Sequence, residues 1–392
     1  MTGPLDGVLV VDLTRALAGP HAAMMLGDLG ARVIKVENPG SGDDTRGWGP
    51  PFVQPDEGDR ESTYFLSANR NKESVTLDLK DEGDKELLRE LVRRADVLLE
   101  NFRPGTLARL GFGTDVLAEL NPRLVTLSIS GFGHDGPEGT RAGYDQIAQG
   151  EAGLMSLTGP GPDDPQRVGV PIGDLLAGMY GAYGVLAALH ERERTGRGQV
   201  VRTSLLAAIV GVHAFQGTAW TVGGQVGRAQ GNHHPSIAPY GLFRCKDGSV
   251  QLSCGSEGLW RRLCAEFGLD PEAEGLATNG ERVGNRQRVI ALLEDVFAGI
   301  EPETLLARLA AAGVPAGKVR TIDEVYGWEQ TRSQGLLVDV DHATLGRLQL
   351  PGPPLRFFAP GPDGETETTR RDHGAPPVLG GSDEAVRAWL TS

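Results

Sequence analysis

Residues 7–37 read GVLVVDLTRALAGPHAAMMLGDLGARVIKVE, and the order of its parts decides the fold class. Gly7–Leu13 is an unbroken apolar run ending on an acid, the pattern of a strand covered on both faces. The loop TRALAGP follows, then a helix predicted over HAAMMLGDLG and closed by Gly30, then a second strand, ARVIKVE. Strand, helix and strand within about 30 residues make a βαβ unit, which favours parallel strands and a right-handed crossover.

The alternation extends outward from this unit. ESVTLDL, DVLLENF and LVTLSIS read as further buried strands, separated by the helix DEGDKELLRELVRRA and a short helix after Pro104. Such alternation predicts an open α/β sheet of Rossmann-like character with helices on both faces. A long apolar helix starts near Asp174, DLLAGMYGAYGVLAALHERERTG. Its Gly178, Gly181 and Gly184 are placed for close approach of other backbone. QVVRTS then reads as a strand. After Trp220 the composition changes: TVGGQVGRAQGNHHPSIAP is loop-rich, and YGLFRCKDGSVQLSCG has a hairpin pattern with its turn expected at Asp247-Gly248. Three helical stretches follow, then a proline-rich segment. The resulting division is a large α/β domain over 1–220, a smaller α+β domain over 221–325, and a return segment, 326–392, packing on the large domain.

Composition excludes several function classes. A chain of 392 residues exceeds one ordinary core. Its net charge of -14 argues against a nucleic-acid footprint, which needs clustered Lys and Arg. The N-terminus lacks the basic region and cleavage site of a signal peptide. The apolar run Leu175–Leu189 falls short of the ~18–20 residues of a membrane span, so no membrane partner is expected. Three cysteines without a CxxC pair suit a reduced, cytoplasmic chain, and the histidines lack metal-ligand spacing, so no metal is expected.

Gly131, Gly133 and Gly136 satisfy GxGxxG after a predicted strand, but GPEGTRAGYD follows where a phosphate-binding helix should begin. A substrate-facing loop at the strand's C-terminal edge fits better. The Ala18-Gly19-Pro20 turn is either an ordinary βα connection or, with Arg15 nearby, an anion site at a helix start. Arg46, Arg70, Lys72, Lys80, Arg103 and Arg109 fall at loops or edges and could together line a phosphate groove. Asp174, in VGVPIGDLLAG, has two readings. One is a capping acid at a helix N-terminus. The other is an oriented carboxylate nucleophile, kept ionised by that same helix end.

Taken together, PLDGVLVVDLTRALAGP, LGDLGARVIKVENPGSGDDTR, YFLSANRNKESVTLDL, ADVLLENFRPGTLARLGFG, NPRLVTLSISGFG and PIGDLLAGMYGAYGVLAALHERERTGRGQVVRTSLLAA resemble the class III CoA-transferases, the formyl-CoA and carnitine CoA-transferase family. The likeness spans nearly the whole chain. It implies a Rossmann-like large domain, a smaller domain and an interlocked homodimer acting on acyl-CoA and carboxylic acids. Asp174 matches the family's catalytic aspartate, which carries acyl groups and then CoA as an aspartyl-CoA thioester.

The resemblance also implies coenzyme A contacts at Ala16, Leu17, Leu77, Asp78, Leu79, Lys80, Asn101, Phe102, Arg103 and Arg109. Leu17 replaces a glutamine frequent in formyl-CoA enzymes, which turns expectation away from formyl or oxalyl transfer. Asn38 replaces an arginine that faces phosphate in some members. GNHHPSIAPYGLFRCKDG resembles a subgroup acting on dicarboxylic acids such as succinyl-CoA-dependent transferases. His233, His234, Tyr240 and Arg46 are then candidates to meet the acyl group, against the alternative of linker histidines in solvent. The same fold hosts α-methylacyl-CoA racemases, whose His-Asp motif aligns with Tyr144-Asp145. A tyrosine, with a pKa near ~10, is a poor base at neutral pH, so this position favours transfer over the alternative of racemisation.

Overall fold

The computed structural model describes residues 3–56, 58–362 and 364–392. Two compact units divide the chain. The first comprises the residues through Leu154, then Val168–Gly223 and Glu329–Ser392; the second comprises Met155–Arg167 and Gly224–Trp328. The excursion 155–167 therefore groups with the second unit, where the sequence reading had placed it in the large domain. Backbone bonds from Ala229 to the Ser156 carbonyl and from Gly231 to the Gly159 carbonyl, both 2.9 Å, hold it there. Its run of glycine, proline and aspartate carries no periodicity from which that partner could be read.

The first unit is built on six parallel strands: β1 (Leu9–Asp12), β2 (Arg32–Glu37), β3 (Lys72–Thr76), β4 (Val97–Glu100), β5 (Val125–Ser130) and β6 (Val200–Ser204). Their order across the sheet is β3-β2-β1-β4-β5-β6. Alternate side chains enter two cores. Val10, Val33, Val97 and Leu127 face one, with α1 (Ala18–Asp28). Leu9, Val11, Ile34 and Leu98 face the other, with α2 (Glu82–Arg94). Both faces are covered, which is why the strands read as apolar runs rather than alternating ones.

Three further helices matter for the site: α3 (Thr106–Arg109), α4 (Asp145–Glu151) and α5 (Ile172–Thr195). By length and composition alone α5 could cross a membrane, a correction to the shorter span expected from sequence. Three of its glycines instead fit it into the first unit's core. A Cβ at Gly178 would lie 2.6 Å from the Ala18 carbonyl oxygen, at Gly181 2.8 Å from Leu127, and at Gly184 2.6 Å from Val201. No side chain fits those gaps without displacing backbone or core. Helices α6 (Leu205–Gly211) and α7 (Ala214–Thr221) follow β6.

Two buried lysines fasten the sheet to the loop after β1. Lys72 Nζ donates to Asp12 Oδ2, to Asn69 Oδ1 and to the Pro20 carbonyl, each at 2.9 Å. Lys35 Nζ donates to the Thr14 carbonyl at 2.8 Å and pairs with Asp43 at 2.9 Å. Buried charges persist only when paired in this way. The return segment is tied to β3: the Thr76 amide and hydroxyl donate to Asp383, each at 2.6 Å.

The second unit holds an antiparallel sheet of β7 (Tyr240–Cys245), β8 (Gly248–Ser253) and β9 (Ala316–Gly317), with Phe243, Trp260, Leu293 and Phe297 in its core. Cys245 pairs with Gly248, so the hairpin turns on Lys246-Asp247, one residue earlier than expected. Asp247 takes the left-handed conformation (φ 55°) that such a two-residue turn requires.

Candidate active site

The strand order reverses between β1 and β4, and the loops leaving their C-terminal ends diverge. Open α/β sheets place ligands at that crevice. A cavity of about 590 Å³ lies there, lined by Arg15–Ala18 after β1, Asn101–Pro104 after β4, Ser130-Gly131 after β5, Arg141–Gln146, Pro171 and Asp174.

The loop after β1 is held from all sides. Ala16 sits at φ 65°, and its amide donates to Asp43. The side-chain carbonyl of Asn101 accepts the Arg15 N–H at 2.9 Å, while its amide donates to the Arg15 carbonyl at 2.7 Å. One side chain thus stitches the β1 and β4 loops together. Gly19 is required, because a Cβ there would lie 2.3 Å from Thr14. Helix α1 begins at Ala18, earlier than the sequence suggested, with Leu17 as an N-cap that offers no side-chain acceptor and no acid in the first turn. The Arg15 guanidinium lies 5.4 Å from the Phe102 ring. Among the described residues neither Arg15 nor Arg103 has an acidic partner, which leaves both cations for a ligand.

The wall behind Asn101–Pro104 is a polar chain. Glu100 accepts the Phe102 N–H at 2.8 Å and the Ser128 hydroxyl, and Ser128 Oγ meets His134 Nε2 at 2.7 Å. The single Ser128 proton goes to Glu100, so His134 carries its proton on Nε2. Burial pushes the Glu100 carboxyl above its ordinary value despite these bonds and the Arg202 charge. Burial, then Arg202, lowers His134 and keeps it neutral.

Asp174 occupies the first turn of α5, but it caps nothing. The capping group comes from α4. Asp145 Oδ1 accepts the amides of Gly173 at 2.7 Å and Asp174 at 3.3 Å, and its Oδ2 accepts Gln149 Nε2 at 2.6 Å. Buried Gln149 in turn accepts the Val168 N–H at 2.9 Å. Among the described residues the Asp174 carboxylate has no hydrogen-bond or ion-pair partner, and it faces the cavity. Burial, then the charge of Asp145, pushes its pKa up from 3.8 to about 7. A helix start favours an anion by only about 0.3–1 kcal/mol, whereas each pKa unit is ~1.4 kcal/mol. Desolvation wins, so the expectation that the helix keeps Asp174 firmly ionised is corrected.

Among the lining groups, Tyr64 carried no sequence signal. Tyr64 packs edge-on against Trp48 at 5.2 Å. Burial, then Asp174, Asp145 and Asp43, push its phenol up to about 12, so it stays a donor. Tyr144 caps α4 through its backbone and lies exposed at the rim.

Of the residues expected from sequence, Ala16, Leu17, Asn101, Phe102, Arg103, Tyr144 and Asp174 line this cavity. Leu77, Asp78, Leu79 and Lys80 do not. They follow edge strand β3, two strands from the crevice; Leu77 is core, and the Asp78 amide donates to Asp84. Arg109 is not itself a lining residue, but it donates at 2.8 Å to Thr106 on α3, which is. Arg46 is not available to an acyl carboxylate: its guanidinium grips Glu37 at 2.7 and 2.8 Å, donates to the Pro377 carbonyl and covers the Phe65 ring. His233, His234 and Tyr240 belong to the second unit, where His234 stacks on Tyr240 and His233 meets Phe243 edge-on. Among the described residues no group of His, Cys, Asp and Glu has the arrangement of a metal site.

Comparison with known proteins identifies the family. Residues 5–381 match CoA-transferase family III, and the chain belongs to that family. It is 39% identical over 356 residues to the succinyl-CoA:glutarate CoA-transferase of Mus musculus, covering 90% of this chain and 80% of that protein. Against the acetyl-CoA:oxalate CoA-transferase of Acetobacter aceti it is 39% identical over 361 residues, covering 91% and 89%. The crystal structure of a CaiB/BaiF family protein from Brucella suis superposes with a TM-score of 0.86 at 40% identity, covering 100% of both chains. The α/β fold with its parallel central sheet is thus the CaiB/BaiF fold, and the chain is an acyl-CoA:carboxylate CoA-transferase.

Proposed function

We propose that this enzyme moves CoA from succinyl-CoA, or another dicarboxylic acyl-CoA, to a carboxylic acid, with Asp174 as the covalent carrier. One observation carries the reading: an unbonded, largely buried carboxylate faces the switch-point cavity on a helix start already capped by another residue. A carboxylate freed from structural duty and poor in solvent is a competent nucleophile.

The steps balance as follows. Ionised Asp174 attacks the thioester carbonyl; the C–O bond forms, the C–S bond breaks and CoA thiolate leaves. The thiolate attacks the Asp174 carbonyl of the mixed anhydride, releasing the donor carboxylate and leaving an aspartyl-CoA thioester. An acceptor carboxylate attacks that thioester, and the returning thiolate takes the new acyl group, restoring Asp174. The tetrahedral oxyanions need donors. The Tyr64 phenol and the open amides at the start of α1 are the candidates, because Ala18 touches α5 at Gly178, one helical turn beyond Asp174. Arg15 and Arg103 are suited to CoA phosphates. The names of the succinyl-CoA-dependent relatives support a dicarboxylic donor, although the oxalate-acting relative keeps short acceptors in the assay panel.

A homodimer, interlocked as in the wider family, is part of this reading. Its support is the exposed apolar surface of the first unit, with Tyr183 on α5, Phe215 and Trp220 on α7, and Val222 just beyond. A cytoplasmic setting suits the three free cysteines.

The test is incubation with succinyl-CoA and a panel of mono- and dicarboxylic acids, with mass spectrometry of products and of the trapped enzyme. Acceptor-dependent acyl-CoA formation with CoA attached at Asp174 is expected. Full activity in Asp174→Ala would overturn the mechanism.

A further inference from the structure

We propose that Asp145 is a positioning residue whose fixed negative charge, lodged against the first turn of α5, destabilises free Asp174 relative to its acylated forms and so drives loading of the enzyme. The inference rests on the covalent reading above.

The geometry makes Asp145 an unusual cap. A capping group normally belongs to the helix it caps or to the residue before it. Here it arrives from α4, 28 residues before Gly173, and takes the Gly173 and Asp174 amides in the first turn of α5. Gln149 fixes its other oxygen, and Gln149 is itself fully buried and held by the Val168 amide. Asp145 therefore cannot swing away when Asp174 ionises. The amides that would otherwise have steadied the Asp174 anion are spent on Asp145, and a second carboxylate is added beside it.

Other charges facing the pair do not cancel this. Asp44 and the un-ionised Tyr64 lie on the same cavity wall, and His21, against Gly178, is held neutral, with its pKa near 4, by burial and then by Arg70 and Lys72. Arg141 lines the cavity but pairs with Glu138 and Glu151. Arg15 and Arg103 lie on the β1 and β4 loops, where CoA phosphates would engage them.

Loading removes the conflict. When the thiolate displaces the donor acid from the anhydride, the negative charge leaves on the released carboxylate, and Asp174 becomes a neutral thioester. Protonation neutralises the same group, so one coupling governs both equilibria. Removing the Asp145 charge should move them by the same factor.

Asp145→Asn tests this, since its carbonyl oxygen still accepts the two amides. The acidic limb of kcat/KM should move to lower pH by about one unit. At about pH 8.5, the ratio of aspartyl-CoA to free enzyme at fixed succinyl-CoA and succinate should fall about tenfold, matching the limb shift. A purely structural cap predicts neither change, and an unmoved limb with an unmoved ratio would overturn the proposal. So would shifts that differ by more than about threefold in equilibrium terms. Asp145→Glu, which keeps the charge, should stay near wild type in both readouts if it folds, while a fall in its thioester ratio would also count against the idea. Absence of any adduct on Asp174 in the wild-type enzyme would instead sink the covalent reading itself.

Discussion

Two helices begin at the same cavity, and they begin differently. Helix α1 starts on Leu17 with no side-chain cap and no acid in its first turn, beside two cations without acidic partners among the described residues. Helix α5 starts with its amides taken by Asp145 and a second carboxylate, Asp174, in its first turn. A helix N-terminus is locally positive in both cases. Left open, it suits an incoming anion; filled by the protein's own acid, it leaves a neighbouring carboxylate without donors and therefore reactive. The contact of Gly178 with the Ala18 carbonyl brings the two starts side by side.

The strongest way to break this comparison is Asp174→Ala. It should lower transfer at least ~10³-fold with an unchanged circular dichroism spectrum, because the proposed acyl carrier is lost while the α5 start keeps its Asp145 cap. The opposite start is tested by Arg15→Gln combined with Arg103→Gln. Initial-rate measurements should show KM for acyl-CoA raised ~10–100-fold, from lost charge-assisted bonds, with kcat within about twofold. A fall in kcat alone would mean that this side serves chemistry rather than anchoring. Gly178→Ala attacks the junction: overpacking against the Ala18 carbonyl should cost about 1–3 kcal/mol in denaturant unfolding.

The gentlest test is Asp174→Asn. The folded chain keeps the Asp174 proton up to about pH 7, whereas an unfolded aspartate releases it near 3.8. The folded state thus binds more protons across that window, and its stability falls as pH rises through it. The asparagine variant should therefore melt a few degrees higher than wild type near pH 8, on the order of 2 kcal/mol once solvent reaching the cavity is discounted. Near pH 4 the difference should vanish.

How much of this was legible beforehand depended on range. Strands such as Val125–Ser130, buried along their whole length, read directly from apolar runs, and the loop after β5 was expected at the strand's C-terminal edge, where Gly131 lines the cavity. Asp174 was found by likeness, because its local pattern fits a cap equally well. What decided between the two roles was Asp145, which lies 29 residues away behind a glycine- and proline-rich stretch with no periodic signal. Arg46 failed as a candidate for the same reason: nothing local says that Glu37, on a buried strand, claims it. Tyr64 escaped notice because a half-buried tyrosine on a short helix is ordinary until the fold sets it beside two carboxylates.

The division of the chain also has a consequence for synthesis. Edge strand β3 is made early, yet the carboxylate that holds Thr76 follows 307 residues later. The second unit closes at Trp328, before Glu329–Ser392 has been translated. On the ribosome, then, the later-starting unit can finish folding first, while the catalytic unit waits with an unfastened edge. Long-range closure of this kind is slow and leaves strand edges open to wrong partners.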